Sequence, residues 1–571
     1  MRPSKNILIG GEAGQGLVTV GTLLAKALAR TGYEIFVTQS YQSRIRGGHN
    51  TLSLRTGNAS LRAPVSEVDI LVALNEETVN LHAEELTDES LIMVDAEHSE
   101  GKFDSKVPDR SRILRVPFAE LAPKKIFTNV VALGVLATVL GLPKEVLANL
   151  LQETFAHKKQ EVADTNDEVL TAAMEWTVGQ DVTFLRLPEA GKQIRRMALD
   201  GNHAVALGAL AAGIRFCAFY PMTPATGVAM NLIAAANDFG LIVEQAEDEI
   251  AAINMAIGAS YAGAPSIVPT SGGGFALMTE GISLAGMTET PVVIVLGQRP
   301  GPATGLPTRT EQSDLNLALY AGHGEFPRAI LTPGNVEECF RLTHIAVDMA
   351  EKFQSPVIVM TDQYLADTMQ AIPPFDLEML NEPARPQHQG ESNESYKRYA
   401  FTESGISPRL LPGTGKHLVV LDSDEHAEDG HITEDLNVRV RMVDKRLSKG
   451  RKIREATLAP TYIGDEQSDI LLICWGSTLG PAEEAAEILR KDGKNVGVLH
   501  FRQVWPLRPE QFLDRMEKAK ETICIEGNAT GQFAHLLQRE TQYSPSRTIL
   551  RYDGLPFTAS DIIKELDNGD G

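Results

Sequence analysis

The sequence predicts an α/β protein made of three α/β domains with mainly parallel sheets. Three observations carry that reading. Short apolar runs alternate with stretches whose apolar residues recur every three or four positions, as strands alternating with helices do. Glycine- or proline-rich loops stand at several strand-to-helix junctions. A polar, charged stretch over 376–460 interrupts the alternation and divides the chain into segments 1–185, 195–375, 376–460 and 461–571.

In the first segment Asn6–Ile9 reads as a strand, followed by GGEAGQG. Leu17, Val20, Leu24, Ala27 and Leu28 then recur at helical spacing, and Gly32 stands where that helix should stop. Further strands fall at Glu34–Val37, Ile70–Leu74 and Leu91–Val94. In the second segment Asp200 or Asn202 can cap a helix over Ala204–Ala212, ended by Gly213. Arg215–Tyr220 is a strand, Pro221–Pro224 a turn and Thr226–Asn237 a helix ended by Gly240. Then come a strand at Leu241–Glu244, a helix over Glu247–Ala262, and buried strands at Ile267–Pro269 and Pro291–Gly297. The 376–460 stretch reads as a long connection with one hairpin. The last segment returns to strand Asp469–Trp475, helix Pro481–Lys491, and strands Asn495–Phe501 and Thr522–Glu526.

Composition bounds the function. With 43% hydrophobic and 22% charged residues, the 571-residue chain has the balance of a folded globular protein rather than a disordered or fibrous one. Its net charge of −22, without a long Lys/Arg run, argues against nucleic acid and anionic membrane as partners. Cys217, Cys339, Cys474 and Cys524 form no C-x-x-C pair, so this chain carries no iron–sulfur or zinc signature and a reducing, cytoplasmic compartment is expected. No secretory leader is expected at the N-terminus. The charge-free run Ile250–Met278 is broken by Pro265, Pro269 and Gly272–Gly274, so it reads as buried helix, strand and loop rather than a membrane span.

Four motifs can carry chemistry. In GGEAGQG, Gly11, Gly14 and Gly16 let backbone N–H groups approach a phosphate at a helix start, or they form a tight turn that needs positive φ. Nearby, SRIRGGHN offers Arg44 and Arg46 to an anion, with a subunit contact the favoured reading. Tyr220-Pro221-Met222-Thr223-Pro224 ends a strand where open sheets place ligands, and its prolines hold Thr223 in a fixed orientation; a plain proline-rich turn is the alternative. Glu247 and Asp248 fit a helix first turn, where they complement the dipole. Glu249 instead precedes a long run of uncharged residues and can stand at the lip of an apolar interior, placed to share a proton with a ring nitrogen. In GQRPGPATGLPTRTEQ, a strand delivers Arg299 to a Gly/Pro loop that also holds Thr308 and Arg309; the choice is between a carboxylate grip and a surface loop.

Together these stretches resemble the 2-oxoacid:ferredoxin oxidoreductases. YPMTPAT, EDEIAAINMAIGAS, SGGGFALM and GQRPGPATGLPTRTEQ stand in the order of that family's α subunit. GGEAGQG with SRIRGGHN is similar to its γ domain, and ICWGST with EGNATGQ to its transketolase C-terminal-like domain. The resemblance covers nearly the whole chain and is closest to a fused γ–α subunit of the 2-oxoglutarate type. It implies a γ-type domain over 1–185, a thiamine diphosphate pyrimidine-binding domain over 195–375 and a transketolase C-terminal-like domain over 461–571. It also implies conversion of a 2-oxoacid and coenzyme A to acyl-CoA, CO2 and reduced ferredoxin. The first candidate substrate is 2-oxoglutarate, giving succinyl-CoA as in the tricarboxylic acid cycle. Pyruvate and branched-chain 2-oxoacids are the alternatives, and the same reaction run in reverse fixes carbon.

By resemblance Glu249 is the glutamate that hydrogen-bonds the aminopyrimidine N1′, and Thr223 touches cofactor or substrate. Arg299 and Thr308 stand where the family binds the substrate carboxylate or CoA, and Arg309 is the candidate for a distal carboxylate. Tyr220, Pro221, Met222 and Ser271 are the further cofactor-binding candidates, Tyr220 and Ser271 either binding or only shaping the pocket, with Met222 replacing the more usual Ile. The glycines Gly11, Gly14 and Gly16 either bind CoA or are structural. The family's diphosphate half needs a Gly-Asp-Gly with a downstream Asn to hold Mg2+. Here the motif occurs only as Gly569-Asp570-Gly571, at the last residue. The resemblance therefore implies half a site, with Mg2+, the diphosphate grip and the [4Fe-4S] clusters on a β subunit in a dimer of αβ heterodimers. The rival readings are a self-sufficient thiamine enzyme and a non-catalytic nucleotide-binding scaffold.

Overall fold

The computed structural model describes residues 4–12, 16–42, 48–97, 107–155, 160–182, 185–190, 196–385 and 396–568. The chain forms two compact units, Met1–Leu199 with Thr368–Pro374, and Asp200–Asp367 with Phe375–Gly571.

In the first unit an eight-stranded sheet runs in the order Arg112–Val116, Leu86–Asp95, Val68–Ala73, Ser4–Glu12, His49–Gly57, Glu34–Ser40, Met369–Ile372 and Met197–Asp200. The helices Leu17–Arg30 and Thr128–Leu140 share its main apolar core. Gly11 pairs with Asn50 inside the sheet. Gly10 is forced by packing, because a Cβ there would lie 2.5 Å from Thr78 Cγ2 and 3.0 Å from His49 Cε1. Gly16 caps the first helix at φ +78°, and a Cβ would meet the Asn129 amide at 1.9 Å. Positive φ and close approach thus account for Gly16. Gly14, Arg44, Arg46 and Gly47 lie outside the described residues.

The second unit holds two sheets. The seven-stranded one runs Gln503–Trp505, Ala329–Leu331, Pro356–Asp362, Val292–Gln298, Ser266–Ser271, Phe216–Phe219, Ile242–Gln245, and only its Gln503–Trp505 edge is antiparallel. From Phe216–Phe219 the chain steps outward to Ile242–Gln245, then returns to the other side at Ser266–Ser271. That reversal is a topological switch point, and open parallel sheets bind ligands at the carboxyl ends of the strands there. The five-stranded sheet, Thr461–Ile463, Val496–Phe501, Ile470–Trp475, Glu521–Glu526 and Arg547–Leu550, is parallel apart from Thr461–Ile463. Cys217, Cys339, Cys474 and Cys524 are free thiols buried in this unit. Among the described residues no helix is long and apolar enough to cross a membrane.

The 376–460 stretch differs from the expected connection. It contains the 20-residue helix Leu436–Glu455, preceded by an isolated bridge between His426 and Ile432. Its buried positions are Met442, Lys445, Arg446, Lys449 and Ile453, which have helical spacing but are mostly cations. A search for apolar periodicity cannot see such a face. The cations meet carboxylates instead, that of Glu289 fully buried and that of Glu425 partly. Lys445 Nζ lies 2.6 Å from Glu289 Oε1 and Lys449 Nζ 2.8 Å from Glu289 Oε2, while Arg446 pairs with Glu425 at 2.9 Å. Arg398 donates to the Glu289 carbonyl at 2.7 Å and to Gln354 Oε1 at 2.9 Å. Burial opposes ionisation of Glu289, but Lys449, Lys445 and Arg398 overcome it and hold the carboxyl well below the usual range. Burial in turn pushes Lys449 down to about 8.

Candidate active site

The switch point gathers residues from four connections. After Phe216–Phe219 the chain makes the Tyr220–Pro224 turn and enters the helix Thr226–Phe239. Asn202 Nδ2 donates to the Pro224 carbonyl at 3.1 Å, and a Cβ on Gly227 would lie 2.6 Å from that amide nitrogen. Asn202 therefore holds the turn, while Asp200 caps its own helix by accepting from the His203 N–H at 2.7 Å. Arg299, just past Val292–Gln298, donates from Nη1 to the Thr223 carbonyl at 2.8 Å. Arginine and threonine, 76 residues apart in sequence, are thus joined directly.

Glu249 begins the helix Glu249–Tyr261, two residues later than the expected start at Glu247, because Asp248 is the cap and accepts from Ala251 N–H at 2.7 Å. The Glu249 side chain turns inward and is only 3% exposed. It packs on the start of the next helix, where a Cβ on Gly274 would fall 2.7 Å from Glu249 Oε1 and 2.3 Å from Thr270 Oγ1. Two residues earlier, a Cβ on Gly272 would fall 2.4 Å from Asp314 Oδ2. Gly272 and Gly274 are therefore small because a carboxyl group approaches each of them, with Thr270 also against Gly274.

Three polar atoms here are buried with no hydrogen-bond partner among the described residues: Glu249 Oε1, Ser271 Oγ and Asp314 Oδ2. Leaving such a group unsatisfied costs about 1–3 kcal/mol each. Three of them around one strand end mark a place built for an external polar group. Burial, reinforced by the like charge of Glu311 and opposed by Arg299, pushes the Asp314 carboxyl up to about 6. Burial lowers the Arg299 guanidinium, with Asp314 opposing.

Tyr220 is exposed, and Met222 and Thr223 are half-buried. The far end of the Arg299 loop packs elsewhere: Thr310 N–H donates to the Gly554 carbonyl at 3.2 Å, and a Cβ on Gly554 would lie 3.1 Å from Arg309 Cβ. Thr308, also half-buried, belongs to that end of the loop. Asn202, Gln298 and Asp314 were missed as site residues. Asp314 was within reach, since the TRTEQ motif stops two residues short of it.

Three family models match the chain in succession. Residues 6–176 match pyruvate ferredoxin/flavodoxin oxidoreductase, residues 207–445 its thiamine diphosphate-binding part, and residues 461–562 the transketolase C-terminal domain. Fold and site therefore define a thiamine-diphosphate-binding α/β oxidoreductase chain. A Sulfolobus protein named 2-oxoacid:ferredoxin oxidoreductase subunit alpha is 33% identical over 98% of this chain and 96% of its own length. The Mycobacterium tuberculosis protein named 2-oxoglutarate oxidoreductase subunit KorA is 28% identical over 98% of this chain and 90% of its own. A solved structure of 2-oxoglutarate:ferredoxin oxidoreductase from Magnetococcus marinus, with 2-oxoglutarate, coenzyme A and succinyl-CoA bound, matches at TM-score 0.93 and 32% identity, covering 100% of both chains. The chain belongs to the 2-oxoacid:ferredoxin oxidoreductase family, as an alpha subunit.

Proposed function

We propose that this chain supplies the pyrimidine-side half of a thiamine diphosphate site in a CoA-acylating 2-oxoacid:ferredoxin oxidoreductase, with 2-oxoglutarate as substrate and succinyl-CoA as product. The carrying observation is the buried, unpartnered Glu249 Oε1 beside the glycine-lined start of the helix Gly272–Leu277. A carboxyl there fits an aminopyrimidine ring nitrogen, and Ser271 Oγ offers a second polar contact. When bound, thiamine diphosphate supplies the electron sink for loss of CO2.

The residues of this chain then divide the work. Glu249, its side chain buried, holds a proton at Oε1 toward the ring nitrogen. Thr223, fixed by its prolines and by Arg299, lines the same crevice. Arg299 keeps donors beyond its bond to Thr223 and receives the substrate carboxylate. Thr308 and Arg309 stay the candidates to meet CoA or a distal carboxylate, although their end of the loop packs on Gly554 rather than beside Thr223. Mg2+, the diphosphate and the [4Fe-4S] clusters that pass electrons to ferredoxin belong to a β subunit. Support for that partner comes from the helix that carries Glu249, whose outward face is Ile250, Asn254, Met255 and Gly258, exposed and without charge. The neighbouring Leu277 is 53% exposed, and surfaces of this kind mark interaction sites.

Arg299→Gln in the complete assembly is expected to raise KM for the 2-oxoacid about 10–100-fold, the loss of about 1.5–3 kcal/mol for hydrogen bonds to a charged group. Steady-state kinetics checks this, and an unchanged KM removes Arg299 from substrate binding. The reading as a whole is tested by reconstitution. The chain alone, given thiamine diphosphate and Mg2+, is expected to show no turnover, and addition of a cluster-bearing β subunit is expected to restore it. Turnover by the lone chain would contradict a divided site.

A further inference from the structure

The loop 299–311 is held at each end by a buried glutamine. At its start Gln298, the last residue of the strand Val292–Gln298, donates from Nε2 to the Thr361 carbonyl at 3.2 Å and accepts at Oε1 from the Asp314 N–H at 3.1 Å. At its far end Gln312 reaches the carboxyl ends of two adjacent strands of the five-stranded sheet, Ile470–Trp475 and Glu521–Glu526. The Gln312 N–H donates to the Gly527 carbonyl at 2.6 Å, and Oε1 accepts from the Gly527 N–H at 2.8 Å. Nε2 donates to the Trp475 carbonyl at 2.9 Å, and the Gln312 carbonyl accepts from Asn528 Nδ2 at 3.2 Å. Just beyond, Gln532 donates to the Ser313 carbonyl and accepts from the Asn316 N–H, each at 2.8 Å. EGNATGQ and the tryptophan of ICWGST, stretches with no part in the chemistry, thus grip the end of the loop that carries Arg299.

Between the two glutamines, residues 301–306 are exposed in succession. An exposed stretch of this kind is positioned by its ends. We infer that Gln312 is a positioning residue, through which the five-stranded sheet sets where the loop presents Thr308 and Arg309. Its buried amide both donates to and accepts from backbone groups across that junction, so it fixes the loop end in one geometry. Without the amide, the loop end must be ordered each time substrate binds. The cost then falls on affinity rather than on the chemical step. This rests on the reading that the loop meets the 2-oxoacid or CoA.

Two measurements test it. In the reconstituted complex, Gln312→Ala is expected to raise KM for 2-oxoglutarate or CoA about tenfold while kcat stays within about twofold. The loop itself is read by limited trypsin digestion of the full chain without its partner. Arg299 precedes a proline, where trypsin does not cut, so the cut within the loop falls after Arg309. Thr310, buried and bonded through its N–H to the Gly554 carbonyl, protects that bond in the wild type, and Gln312→Ala should expose it to faster cleavage. Gly527→Ala disturbs the same clamp with no residue of the loop changed, since its Cβ would stand 3.3 Å from Gln312 Cγ and Oε1. It should shift KM and cleavage in the same direction by less, and it decides the matter should Gln312→Ala not fold. Unchanged cleavage overturns the clamp. Faster cleavage with both KM values unchanged overturns the positioning role, as does a loss of kcat that only follows a loss of stability to urea. Arg299→Gln separates this from the reading it rests on. A raised KM there, with unchanged values in Gln312→Ala and Gly527→Ala, removes Gln312 alone, whereas the reverse pattern removes Arg299 and keeps the clamp.

Discussion

Glu249→Gln is expected to abolish decarboxylation in the complete assembly while leaving the chain folded. The two side chains have nearly the same shape, and Glu249 Oε1 makes no hydrogen bond that the amide would break. What the amide cannot do is give up a proton to the ring nitrogen and take it back, because it does not ionise as a carboxyl does. Positioned acid–base groups contribute about 10²–10⁴ in rate, and the loss should fall in that range or beyond it. Turnover with 2-oxoglutarate, CoA and an electron acceptor measures it, alongside urea unfolding of the variant. Rates like the wild type's would take Glu249 out of the chemistry. A variant that loses activity and stability together would make the residue structural instead.

The second large effect concerns stability rather than turnover. Glu289→Gln is expected to destabilise the chain by about 3–5 kcal/mol, because it leaves Lys445 and Lys449 buried without their counter-charge. Both lysines are nearly inaccessible, at 2% and 1% side-chain exposure, so water cannot replace the lost carboxylate. The sign with pH follows from the depressed carboxyl. Its contribution is full above the unfolded value of about 4.3 and is lost as the pH falls through the folded one. The gap between variant and wild type should therefore be constant near neutrality and narrow below about pH 4. Urea midpoints across that range check it. A shift within about 0.5 kcal/mol, the size of an ordinary surface substitution, would contradict the pairing.

The stretches that make up the candidate site stand out in the sequence because their signals are local. The uncharged run after Glu249 and the two prolines around Thr223 are visible in single stretches of sequence. The glycines of SGGG were visible too, although what they accommodate was not. Gly272 and Gly274 are pressed by Asp314 and Glu249, residues 42 and 25 positions away, and no local pattern encodes those approaches. Asn202 was weighed as a helix cap, whereas it turns away to hold Pro224. The helix Leu436–Glu455 escaped for a different reason. Its inward face buries cations against Glu289 and Glu425, so the usual cue of apolar residues at helical spacing is missing. Glu289, at φ +48°, likewise stands in a backbone conformation that its neighbours in sequence do not announce.

The central claim places one carboxyl against one ring. A crystal structure of this chain with its β subunit, Mg2+ and thiamine diphosphate tests that most directly. Glu249 Oε1 should lie within hydrogen-bond distance of the aminopyrimidine N1′, about 2.6–3.2 Å. A pyrimidine ring bound away from Glu249, with Oε1 still lacking a partner, would contradict the account.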